Sequence, residues 1–215
     1  MNHGNVIAPF LVSFLLVACG RGPDEPPPIE DSRAFWACDG YEFALRRGEN
    51  TVALTLPGRD VELAAVGETR ERRYARNEIA LEYTAKDALR LSVGLEEHVC
   101  TPKSWGGPWQ RAEDAGAAFR AVGQEPGWFV EVTPGGNLVA VLDYGERTIT
   151  LPAPEVTPLD GGARGYQVEG DGQVIQLVIE PLTCFDGMSG QIHPETATLA
   201  VDGQRYQGCG VPLNP

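Results

Sequence analysis

Thr51-Val52-Ala53-Leu54-Thr55-Leu56-Pro57-Gly58-Arg59-Asp60-Val61-Glu62-Leu63-Ala64-Ala65 decides the fold class. Val52, Leu54 and Leu56 alternate with smaller or polar residues, the period of a half-buried strand. Pro57-Gly58-Arg59-Asp60 breaks the chain with turn chemistry, and Val61, Leu63 and Ala65 then resume the same rhythm. Working outward, Ile79, Leu81 and Tyr83 alternate again, followed by Leu89, Leu91 and Val93. Arg47-Gly48-Glu49-Asn50 and Lys86-Asp87 supply further turns. The pattern predicts a meander of short antiparallel strands.

The second half repeats this grammar without repeating any motif. Strands are expected at Trp128–Val132, Leu138–Leu142, Thr148–Leu151, Val174–Ile179 and Thr196–Val201, with a closing piece near Tyr206. Pro134-Gly135-Gly136-Asn137 and Asp202-Gly203 read as hairpin turns. Between the halves, Pro102 to Gly116 opens with Trp105-Gly106-Gly107-Pro108-Trp109 and reads as a polar, small-residue link. No 12-residue stretch has helical periodicity. The expected fold is all-β: two small antiparallel β-barrel-like domains in tandem, at 32–104 and 117–215, joined by a linker at 105–116.

The cysteines fit two units. With Cys19 set aside, Cys38, Cys100, Cys184 and Cys209 allow three pairings. Cys38–Cys100 with Cys184–Cys209 keeps each bridge inside one unit, and an oxidising compartment permits both. A zinc site is the alternative. It is disfavoured because no Cys-x-x-Cys occurs and His3, His98 and His193 have no ligand spacing, so neither metal nor cofactor is expected.

The net charge of −13 is unevenly placed. Residues 32–104 hold 11 basic and 12 acidic side chains, whereas 105–215 hold 5 and 14. Nucleic acid is excluded as a partner by the lack of any basic stripe outside one short stretch.

The N-terminus points to the envelope. Val6 to Ala18 is almost wholly apolar, shorter than the roughly 20 residues of a membrane span. It ends in Leu16-Val17-Ala18-Cys19-Gly20, which resembles the lipobox of bacterial lipoproteins, although Met1-Asn2-His3-Gly4-Asn5 lacks the usual Lys or Arg. The resemblance implies a signal peptide at 1–18, cleavage before Cys19 and lipidation of its thiol, leaving a chain of about 197 residues. Residues 19–31 are rich in Pro, Gly and acid and read as a flexible tether. Gly20 stands where an Asp would mark inner-membrane retention, so the outer membrane, facing the periplasm, is the expected location.

In the first unit, Phe35-Trp36-Ala37-Cys38-Asp39-Gly40 leads into Phe43, Leu45 and the strand Val52–Leu56, then Arg73-Tyr74, Leu81 to Lys86, and Val99-Cys100. This order resembles the membrane-bound inhibitors of c-type lysozyme (the MliC family), small β-barrel lipoproteins that open on a Cys-Asp-Gly-like strand and end on a second Cys. The resemblance covers about residues 35–103. It implies inhibition by occlusion: a loop and a basic side chain enter the lysozyme cleft and pair with its two catalytic carboxylates. In the family a Ser and a Lys make those contacts. Here Arg70 stands in the place of that Ser and Glu71 in the place of the Gly after it; Ala85 stands in the place of the Lys, with Lys86 one residue later. Arginines 70, 72, 73 and 76 surround the site, and Arg pairs bidentately with carboxylates. The candidate lysozyme contacts are Arg70, Arg72, Arg73, Tyr74 and Lys86. The bland reading is a solvated loop in which these cations alternate with Glu68, Glu71 and Glu78.

The second unit carries Phe119-Arg120-Ala121-Val122-Gly123-Gln124-Glu125-Pro126-Gly127-Trp128 and Cys184-Phe185-Asp186-Gly187-Met188-Ser189-Gly190-Gln191-Ile192-His193. These resemble signatures of an uncharacterised bacterial envelope lipoprotein family, over about residues 117–212, and single out Glu125, Trp128, Asp186, Met188, Ser189 and His193. His193 stands where the signature has Tyr, which makes aromatic packing as plausible as chemistry. A Ser189–His193–Asp186 triad is disfavoured, since no Gly-x-Ser-x-Gly nucleophile elbow precedes a helix. A Glu125–Asp186 carboxylate pair is a further option, against Asp186 capping its own turn. Trp105, Trp109 and Trp128 read as groove lining or as core. The expected function is non-enzymatic: an envelope-anchored lipoprotein that inhibits c-type lysozyme, or alternatively a non-inhibitory ligand-binding or structural lipoprotein with a degenerate inhibitor domain.

Overall fold

The structure, a computed structural model, describes residues 33–67, 72–85, 87–153, 155–170 and 172–213. The expected leader and tether, Cys19, Arg70 and Lys86 lie outside the described residues.

The chain is all-β. The first unit is a closed barrel of eight strands in sequence order: β1 (Ala34–Cys38), β2 (Tyr41–Arg47), β3 (Thr51–Leu56), β4 (Arg59–Ala65), β5 (Arg73–Arg76), β6 (Ile79–Ala85), β7 (Ala88–Val93) and β8 (Glu96–Pro102). Every neighbouring pair is antiparallel, and β8 returns to β1 with Cys38 opposite Cys100, the two joined as a disulfide. Closure pairs every strand with two neighbours and so limits exposed sheet edge, the weakest seam being β4–β5, where Ala64 and Ala65 face Ala75 and Tyr74. The alternation in the sequence becomes the inward face: Val52, Leu54, Leu56, Leu81, Leu89 and Leu91 are buried, together with Trp36, Phe43, Tyr74 and Tyr83. These side chains pack the interior.

The second unit is a curled sheet of nine strands. They are β9 (Phe119–Gln124), β10 (Gly127–Val132), β11 (Asn137–Leu142), β12 (Arg147–Pro152), β13 (Thr157–Pro158), β14 (Arg164–Gly170), β15 (Gln173–Glu180), β18 (Glu195–Val201) and β19 (Gln204–Pro212), in the spatial order β12-β11-β10-β9-β19-β18-β15-β14-β13. The sheet bends until β12 approaches β14, with Leu151 against Gly170, and the concave side encloses the core around Trp128, Leu138, Leu177, Leu199 and Tyr206. A short hairpin, β16 (Cys184–Phe185) with β17 (Ile192–His193), is fastened to β19 by Cys184–Cys209. Gly208 marks the tightest approach: a Cβ there would lie 2.0 Å from the carbonyl oxygen of Val122.

Residues 105–116 differ from the expected spacer. They contain a helix, α1 (Pro108–Asp114), with Pro at its start. Trp109 and Ala112 are buried against Ala117, Val211 and Leu213, on the convex side of the second sheet. The segment is therefore packed structure of the second unit. Seven residues make fewer than two turns, too short for a periodic signal.

Candidate functional site

The barrel meander carries the connections β2–β3, β4–β5 and β6–β7 to one end. The main chain ties them together there: Ala65 N–H donates to Asn50 O, Val66 N–H to Arg73 O and Tyr83 N–H to Arg72 O, at 2.8–2.9 Å. Arg73 opens β5 opposite Glu82, with its side chain exposed. Arg72 is half-buried, and its Nε has no hydrogen-bond partner among the described residues. Tyr74 corrects the expected surface. Its side chain is 1% exposed, its ring meets Tyr83 edge-on at 6.5 Å, and its hydroxyl accepts a bond from Arg47 at 3.2 Å. The alternation that starts at exposed Arg73 turns Tyr74 inward, so its side chain is part of the barrel core and not of its surface. Burial pushes the neighbouring Tyr83 hydroxyl up to about 12, against the opposing pull of the Arg47 guanidinium stacked over its ring.

In the second unit, Asp186 is spent on its own loop. Its Oδ1 accepts the backbone N–H groups of Met188 and Ser189 at 2.9 and 2.8 Å, and its Oδ2 accepts Gln124 Nε2 at 3.1 Å. Burial alone would raise its pKa, but these bonds together hold it below the usual carboxylate range. Ser189 Oγ accepts Gln191 N–H at 3.2 Å, tightening the same loop. Glu125 and Met188 are exposed at the rim of a cavity of about 620 Å³ beside the Cys184–Cys209 bridge. Trp128 lies on the other, concave side of the sheet, in the core, with its Nε1–H donating to Gln207 O at 3.3 Å.

His193 belongs to a third group, where the two units meet. Its ring is 1% exposed and lies 5.2 Å from Trp105 and 5.3 Å from Trp109 between centroids. Burial, and next the charge of Lys103, push its pKa from 6.5 to about 4. Lys103 stacks over Trp105, pairs with Glu42 of the barrel, and donates to Ile192 O at 3.0 Å. Glu42 also accepts Ile192 N–H at 2.9 Å. One barrel carboxylate thus receives both the linking lysine and the hairpin of the second unit. Arg33 adds a second tie to Thr183 and Pro181 O.

The fold therefore separates residues that the motifs placed side by side. Asp186 caps a loop, Ser189 braces it, and His193 is stacked in an interdomain aromatic cluster. Trp105 and Trp109 join that cluster, whereas Trp128 is core. Sequence reasoning missed Glu42 and Lys103, which are single charges at strand ends without a motif around them. It also missed Tyr144, an exposed aromatic in an Asp-Tyr-Gly turn. Compared with known proteins, the sequence matches no family model and no curated protein.

Proposed function

We propose that this chain is an envelope lipoprotein, anchored through Cys19 to the outer membrane and facing the periplasm, whose barrel binds and occludes the cleft of c-type lysozyme. The observation that supports the reading most is topological. Arg72, in the β4–β5 connection, and Arg73, which opens β5, lie at the barrel end where β6 closes at Ala85, next in sequence to Lys86, and the bond from Tyr83 N–H to Arg72 O joins the two segments. Those are the two segments that the inhibitor resemblance implicates. Cations from adjacent connections offer paired donors to two carboxylates in one cleft.

Turbidity assays of c-type lysozyme on cell walls, with the full chain added, test this. Inhibition at micromolar concentration is expected. Arg72→Ala and Lys86→Ala should each weaken it by roughly tens to thousands of times, as for loss of a desolvated charge pair worth about 2–5 kcal/mol. Absence of inhibition by the parent chain defeats the reading. Inhibition indifferent to both substitutions moves the contact elsewhere on the barrel.

A further inference from the structure

The convex face of the nine-stranded sheet carries a groove that the barrel's proposed role does not use. Its two lobes meet at Val122, Gly123 and Gln124 on β9. The larger lobe lies between β9, β19 and the β16–β17 hairpin, walled by Phe185, Met188 and the Cys184–Cys209 bridge, with Gln124, Glu125, Asp186, Thr196 and Gln207 as its polar lining. The smaller, of about 350 Å³, crosses β10 to Phe129 and Tyr144.

Tyr144 is 76% exposed and yet fixed in place. Its hydroxyl donates to Gln124 O at 3.2 Å. Its ring lies against Gly127, where a Cβ would stand 2.7 Å from ring Cδ1. The backbone that presents it is left-handed at two successive non-glycine residues, with φ 52° at Asp143 and 58° at Tyr144. Such conformations are disfavoured for side chains of this kind and cluster where a group must be displayed. The result is a rigid aromatic surface, open on one face, at the end of a groove lined with amides.

We propose that this groove binds a neutral glycan chain of N-acetylated aminosugars. Sugar rings present C–H faces to aromatic rings and hydroxyls to amides and carboxylates, which matches Tyr144 beside Gln124, Glu125 and Gln207, while the Phe129 ring carries the Arg120 guanidinium 4.3 Å from its centroid. The apolar wall of Phe185, Met188 and the disulfide offers an acetamido methyl a non-polar surface. Anionic ligands are disfavoured: residues 105–215 hold 5 basic against 14 acidic side chains, and the groove's arginine, Arg120, is paired with Glu131. Strand addition by an extended peptide is disfavoured because it needs a free edge. The floor strands β9, β10 and β19 are interior, each paired on both sides. The inference stands independently of the lysozyme reading.

The test is calorimetric titration of the full chain, held in a detergent without sugar headgroups, with N,N′,N″-triacetylchitotriose and separately with a neutral extended hexapeptide. Saturable binding of the trisaccharide is expected, weakened at least about tenfold by Tyr144→Ala or Gly127→Ala. Tyr144→Phe keeps the ring and should bind within about threefold of the parent. In the Tyr144→Ala background Gly127→Ala should add nothing further, because the ring that its methyl displaces is gone. Leu95→Ala, on an exposed barrel turn, should leave binding unchanged. The proposal is overturned if the folded parent shows no trisaccharide binding at millimolar concentration. It is equally overturned if Tyr144→Ala and Gly127→Ala bind as the parent does, or if only the hexapeptide binds.

Discussion

His193 is a basic group held neutral between two indole rings, with Lys103, Asp186 and Glu42 as the charges nearest in effect. Its pKa falls from 6.5 to about 4, so between these values the unfolded chain binds a proton that the folded chain refuses. The resulting stability is complete above pH 6.5 and is lost as the pH falls toward 4. Its full size is about 3 kcal/mol at 1.36 kcal/mol per unit. Thermal melts at pH 7 and pH 4.5 should therefore show a smaller drop for His193→Phe, which keeps an aromatic in the stack without the titration. An equal drop in both proteins would refute the assignment. The sequence left packing and chemistry open at this position, because neither Trp105 nor Trp109 is near His193 in the chain. Tyr74 shows the reverse: local alternation is enough to turn it inward, beside Leu81 across the ladder, because its neighbour Arg73 is exposed.

At the scale of elements, the hairpin β16–β17 has two residues per strand and depends on what fastens it. Cys184–Cys209 closes 25 residues of chain, for which loop entropy predicts about 3.5 kcal/mol. Cys184→Ala with Cys209→Ala should lower stability by about that much. It should also strip hydrogen-exchange protection from Asp186 and Gly190, whose N–H groups donate to Gln191 O and Asp186 O. Retained protection would show that the Asp186 cap holds the loop alone. Strands with strict alternation, such as β3 and β15, were readable because one face is buried and the other wet. β9 and β14 were not anticipated. β9 holds Arg120 and Gly123 at buried positions, since both faces are covered, and β14 has no buried residue to set a rhythm.

Across the whole molecule, Glu42 joins the two units. Glu42→Ala would leave the ammonium of Lys103, whose side chain is 6% exposed, and Ile192 N–H without their shared acceptor. Removing one partner of so buried a pair costs about 3 kcal/mol, so calorimetry should resolve two transitions where the parent gives a more coupled one. An unchanged thermogram would show that the aromatic cluster and the Arg33 tie couple the units without Glu42. Anchoring belongs to this scale too. Cys19→Ala should abolish incorporation of radioactive palmitate, and normal labelling of that variant would remove the lipid anchor from the proposal.

Local chemistry carried the all-β class, the hairpin turns and the division into two halves, because period-two burial and turn residues act over a few residues at a time. The disulfide pairing was favoured by cysteine order and is fixed by the strands that bring Cys38 beside Cys100 and Cys184 beside Cys209. Barrel closure in one half and an open curl in the other were decided only in three dimensions. Both follow from register and from which distant strands pair, as β1 with β8 and β9 with β19. The same holds for the clamp on Glu42, the stack around His193 and the ledge at Tyr144. Each is assembled from residues tens of positions apart, and only the folded chain brings them within reach of one another.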